Sequence, residues 1–127
     1  MKLDEYFENA NGVGVLSTAD DQGKVNAAVY GRPHFIEEKT VAFIASDRLT
    51  HANLKMNPSA IYLFKEDGSY NGYRLYLTKT HEDKDSPLIE QLRRKKYKGM
   101  GRKYDTESKF LIYFRIEKVL PLIGDGK

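Results

Sequence analysis

Between Ser46 and Asn53 the sequence reads SDRLTHAN, which crowds two hydroxyls, an arginine, a histidine and a side-chain amide into about two helical turns. The first N–H groups of a helix have no intrahelical partner, and the helix dipole favours negative charge there. An arginine and two hydroxyls at such a point make a seat for a phosphate. The same residues also have a plainer use. Ser46 or Asp47 can cap the helix, Thr50 and Asn53 can face water, and Arg48 can pair with a carboxylate. Capping serines are common, so this stretch alone fixes no function.

The remaining reactive side chains are more dispersed. His34, His51 and His81 have no i, i+4 pairing, and cysteine is absent, which argues against a metal centre and excludes thiolate chemistry and disulfides. His34 follows Arg32-Pro33; a proton-donating role is one reading, a satisfied or solvated histidine the other. Glu82, Asp83 and Asp85 read as an acidic loop, a weak cation site or, more commonly, simply solvated. Ser17 and Ser69 lie in no nucleophile elbow. Tyr70 and Tyr73 flank a turn and could stack on a planar ligand, or simply suit a strand edge. Arg93, Arg94, Lys95, Lys96, Lys98, Arg102 and Lys103 form a basic segment: a solvated face, an anion-facing loop or a nucleic-acid patch.

The elements that must position these groups follow from hydrophobic pattern and turn residues. Leu3, Tyr6 and Phe7 at helical spacing predict a helix over 2–10, stopped by Asn11-Gly12. VGVLSTA (13–19) and 24–30 predict a hairpin about Asp20–Gly23, the second strand holding the small residues Asn26, Ala27 and Ala28. Gly31-Arg32-Pro33 interrupts that strand, as proline does at an edge or bulge, and His34–Ile36 continues it. VAFIA (41–45) reads as a buried strand, followed by a helix that Asn57-Pro58 ends, because the residue before proline is driven out of the α region. AIYLF (60–64) and YRLYLTKT (73–80) are strands separated by the turn signals Asp67-Gly68 and Asn71-Gly72. Ser86-Pro87 opens a helix with Leu88, Ile89 and Leu92 on its buried side. FLIYFRI (110–116) is the last strand, and VLPLI an extended tail.

About six strands, three short helices and mostly hairpin connections predict a mainly β fold, a six-stranded antiparallel barrel closed to remove its edges. Its 127 residues suit one domain, 1–127, with a single core. No apolar run approaches the ~20 residues needed to cross a bilayer, and the N-terminus lacks the basic-then-apolar order of a signal peptide. A reducing cytoplasm is the expected compartment.

The VLSTADDQGKVNAAVYGRP hairpin, the VAFIASDRLTHANLKMNPSAIYLF unit, and the basic helix followed by FLIYFRIEKVLPL together resemble, in order, the pyridoxamine 5′-phosphate oxidase-related, FMN-binding split-barrel family. The resemblance is closer to its small FMN-binding members than to the full-length oxidase. It implies a split barrel that binds FMN across a homodimer interface, with Asn26, Ala27 and Ala28 beside the ring. Ile44, Ala45 and Ser46 would line the ring or ribityl chain, and Arg48 and Thr50 would meet the phosphate. Leu49 stands, with Thr50, where many members carry a basic pair or a lysine. Arg32, Lys55 or a basic-segment residue from the partner subunit would have to supply the missing charge; otherwise FMN binds more weakly, or another flavin or haem is preferred. The oxidase's substrate-binding pattern near the C-terminus is missing from FRIEKVLPLIGDGK, so pyridoxamine phosphate is not the expected substrate. An FMN-dependent oxidoreductase with an unassigned small-molecule substrate or NAD(P)H donor is the leading expectation, with no side chain assigned as catalyst. The competing class is a nucleic-acid-binding β-barrel that uses segment 93–103, with Tyr97 and Tyr104 interleaved for base stacking.

Overall fold

The computed structural model describes residues 2–96 and 108–125, which form seven strands and three short helices. Their order is α1 (Leu3–Asn9), β1 (Gly12–Ala19), β2 (Val25–Tyr30), β3 (His34–Glu37), β4 (Thr40–Ser46), α2 (Leu49–Met56), β5 (Ser59–Glu66), β6 (Gly72–Lys84), α3 (Pro87–Lys96) and β7 (Lys109–Pro121). All strand pairings are antiparallel, in the order β2-β1-β5-β6-β7-β4-β3.

The expected closed, six-stranded barrel is therefore corrected to an open sheet of seven strands. His34–Glu37 does not continue β2. It is a strand of its own, and it lies at the opposite edge of the sheet. Only residues 31–33 connect the two edges, and at 3.8 Å per Cα step the link from Tyr30 to His34 spans at most about 15 Å. The sheet must curl until β2 and β3 approach each other, but no ladder joins them. The barrel is split along that seam, and the sequence sets the seam at Gly31-Arg32-Pro33.

The β1–β2 hairpin turns as Asp20 predicts: its Oδ1 accepts the backbone N–H groups of Gln22 and Lys24, both at 2.9 Å, and Gly23 takes a φ of 83°. Two strands are longer than expected. β6 runs on to Lys84, so Glu82 and Asp83 pair with Ile112 and Leu111 in β7, and only Asp85 lies beyond the strand. The tail after Ile116 is also strand, paired with β6 as far as Pro121.

The concave side of the curl holds the main core. Phe7, Leu16, Phe43, Leu54, Tyr62 and Phe64 are among its nearly inaccessible side chains, and edge-on ring contacts join Phe7 to Tyr62 and to Phe64. A smaller cluster packs α3 on the outer side of β4 and β7 through Ile89, Ala42, Leu111 and Tyr113, with Leu88 and Leu92 against it. Arg32 fastens α1 to the seam. Its Nη1 donates to the carbonyls of Phe7, Glu8 and Ala10, at 3.1, 3.2 and 2.8 Å, where the helix end leaves acceptors unsatisfied. Among the described residues, no helix is long and apolar enough to cross a membrane.

Candidate functional site

A cleft of about 480 Å³ opens at the seam. From β2 it receives Asn26, Ala28 and Tyr30, the half-buried alternate residues, together with Val29 at its edge, and from the link Gly31 and Arg32. His34 of β3 and Phe43, Ile44 and Ser46 of β4 form the facing wall. Arg48, Leu49 and Thr50 close one end, and Arg93 of α3 and Lys109 of β7 also line it.

Most of the residues expected at a site thus share one cavity: Asn26, Ala28, Arg32, Ile44, Ser46, Arg48, Leu49 and Thr50. Ala27 and Ala45 do not line it. Ala27 faces away on β2, and Ala45, between Ile44 and Ser46, turns into the core with 2% of its surface exposed. Lys55, offered as a source of missing charge, does not line the cleft either. Tyr73 packs against Tyr6, and the exposed Tyr70 lies under the Lys65 ammonium, so neither serves this cleft. Residues 97–103 of the basic segment, together with Tyr104, lie outside the described residues. Arg93, its first member, enters the cleft of its own chain.

The helix that presents Arg48 is not capped as the sequence suggested. Its N-cap is Arg48, with no side-chain cap bond. Both expected caps are used elsewhere: Ser46 still belongs to β4 and its Oγ accepts from Lys109 Nζ at 2.9 Å, while Asp47 Oδ1 meets His51 Nδ1 at 2.8 Å. Nor do Thr50 and Asn53 face water. Both are buried, and Asn53 Nδ2 donates to Thr18 Oγ1 at 3.1 Å, pinning α2 to β1.

His51 is inaccessible. Its Nδ1 faces Asp47 and its Nε2 faces Glu82, each at 2.8 Å, while its ring stacks on Phe110 at 3.8 Å between centroids. The bond to His51 holds the Asp47 carboxyl below its ordinary range. Burial works to raise Glu82, but bonds from Lys79 and His51 prevail and hold it low. In the cleft itself, burial pushes the Tyr30 hydroxyl up, partly offset by its bond to Thr50. His34 is buried, with 6% of its surface exposed, and so is not a solvated histidine.

No protein-family model matches the sequence, and no curated protein does. Among solved structures the fold is similar to that of an FMN-binding protein from Syntrophomonas wolfei, with a TM-score of 0.77 and 22% identity over 97% of this chain and 85% of that one. It is similar to a candidate pyridoxamine 5′-phosphate oxidase from Lactobacillus delbrueckii (TM-score 0.67, 15% identity, 91% and 88% of the two chains). HutZ, the haem storage protein of Vibrio cholerae, is a third (TM-score 0.66, 18% identity, 94% of each chain). The chain has the pyridoxamine 5′-phosphate oxidase-like split-barrel fold. In this split barrel, cleft volume falls within the ~300–1,000 Å³ of cofactor pockets. The described lining has three arginines and a lysine and no carboxylate. Small residues, Ala28 and Gly31, leave the wall low beside the Tyr30 and Phe43 rings. Such a donor set fits a flat, partly apolar molecule with an anionic end. Among the described residues, no cluster of three or more His, Asp or Glu could hold a metal ion.

Proposed function

We propose that the protein is an FMN-binding flavoprotein of the oxidoreductase type, working as a homodimer on a substrate other than pyridoxamine phosphate. The observation that carries this reading is the seam cleft: cationic throughout its described charged lining, walled by small residues of β2, and ended by the uncapped helix α2. Arg48 and Thr50 would hold the phosphate, with the first N–H groups of α2 free of side-chain caps. Asn26, Ala28 and Ile44 would flank the ring, and Phe43 and Tyr30 would exclude water from one side of it. When bound, FMN supplies hydride and single-electron transfer, while the protein binds, orients and tunes it. No side chain is assigned as acid or base.

The test is a fluorescence titration with FMN and with riboflavin. Arg48→Ala should weaken FMN about tenfold or more, because a charge-assisted hydrogen bond contributes roughly 1.5–3 kcal/mol, and should leave riboflavin nearly unchanged. A wild-type protein that ignores both flavins would end this reading. Tight haem uptake with a Soret band would replace it with the haem-binding one, and salt-sensitive retention on single-stranded DNA with the nucleic-acid one.

A further inference from the structure

Helix α2 begins with one basic residue, Arg48, and then Leu49; a phosphate monoester carries about −1.5 to −2 charge near neutral pH. Two other cations line the cleft from elsewhere in the chain. Lys109 opens β7 as the register partner of Ser46, and its Nζ lies 2.9 Å from the Ser46 hydroxyl. The Ser46 carbonyl accepts the Arg48 backbone N–H, also at 2.9 Å, so Ser46 bridges the two basic residues. Arg93 lines the cavity from α3. The backbone of Lys109 is locked in place. Asp85 donates its N–H to the Lys109 carbonyl at 2.7 Å, and its Oδ1 accepts the Lys109 N–H at 2.9 Å. This reciprocal pair closes the whole excursion that carries α3, so it fixes where both Lys109 and the base of α3 stand.

Resting on the flavin reading above, we propose that Lys109 and Arg93 complete, with Arg48, a three-cation seat for the phosphate end of the cofactor. They supply from β7 and α3 the charge that Leu49 does not. Cations from three separate elements converge on a cavity whose described lining has no carboxylate, an arrangement that solvation of a surface does not require. Ser46 joins the seat: a hydroxyl oxygen that accepts from Lys109 retains its own hydrogen to donate to an anion. The seat distinguishes FMN from riboflavin, which lacks the phosphate.

Lys109→Met keeps the aliphatic stem and the backbone pair with Asp85 while removing the charge. It should weaken FMN about tenfold or more without changing riboflavin affinity, and Lys109→Arg should restore most of the loss. Arg93→Met should act in the same direction. A second readout needs no flavin: inorganic phosphate titrated into the wild-type protein should shift the amide NMR signals of Ser46, Thr50 and Lys109. Phosphate shifts that Lys109→Met abolishes, in a protein that binds no FMN, would uphold the seat and end the flavin reading alone. Equal losses of FMN and riboflavin in Lys109→Met, undiminished FMN binding, or wild-type amides unmoved by phosphate would overturn the seat.

Discussion

His51 shows how much of a site can rest on one residue that never touches its ligand. Each of its two ring nitrogens lies 2.8 Å from a carboxylate oxygen. The residue then ties the loop before α2, through Asp47, to β6, through Glu82, and Lys79 braces Glu82 from behind at 2.6 Å. Asp47 is 67% exposed and its share is screened, so Glu82 carries most of the linkage. The folded carboxyls of Glu82 and Asp47 lie below their ordinary values of 4.5 and 3.8. Their contribution to stability is therefore complete above those values and is lost as pH falls through the lower, folded ones. His51→Asn should lower stability near neutral pH by about 1–3 kcal/mol, since it disrupts buried hydrogen bonds. It should also flatten the acid limb of stability against pH. Urea denaturation from pH 7 down to about 3 measures both, and acid limbs that superimpose would show that the bridge does not couple to folding.

Among the elements, β1 and β5 settle the shape of the seam. The Tyr62 ring is fully buried, and its hydroxyl donates to the Gly31 carbonyl at 3.0 Å, fixing the link that carries the chain between the two sheet edges. It reaches there because Gly14 leaves the space empty: a Cβ on Gly14 would lie 1.9 Å from the Tyr62 hydroxyl. Gly14→Ala should cost about 1–3 kcal/mol by overpacking, and Tyr62→Phe about 0.5–1.5 kcal/mol through the lost hydrogen bond. If chemical denaturation found Gly14→Ala as stable as the wild type, the contact would not be shaping the seam. Little of this was legible in the sequence. The β1–β2 hairpin was, because Asp20 and Gly23 have one good conformation between two alternating strands. The seam was not, since Gly31-Arg32-Pro33 reads equally as a bulge, and nothing local says that β3 pairs at the far edge. Glu82 and Asp83 hid the length of β6, being charged residues where a strand pattern asks for alternation, although Glu82 is turned in to His51 and only Asp83 is exposed. Lys109 gave no signal at all: one lysine at the start of a strand acquires meaning only from its register with Ser46.

For the whole molecule, β2 unites the cleft and the proposed dimer. Its alternation half-buries Asn26, Ala28 and Tyr30 in the cleft and leaves Val25 and Ala27 outside, while Val29 stands at the cleft's edge, with Val25 and Val29 83% and 76% exposed. Val13 on β1 and Leu49 and Met56 on α2 add further exposed apolar surface. An apolar edge strand left to solvent invites pairing or aggregation, and proteins ordinarily cover it. A second copy is the occupant that suits it, because a two-fold contact buries the same patch on both partners. Leu49 belongs both to this surface and to the cleft, so the copy that covers one would narrow the mouth of the other. Val25→Lys should therefore turn a dimer into a monomer in analytical ultracentrifugation at micromolar concentration, and FMN affinity should fall along with it, although Val25 does not line the cleft. A wild-type protein that sediments as a monomer yet holds FMN tightly would refute the shared interface. A Val25→Lys dimer as strong as the wild type's would move the interface off this strand.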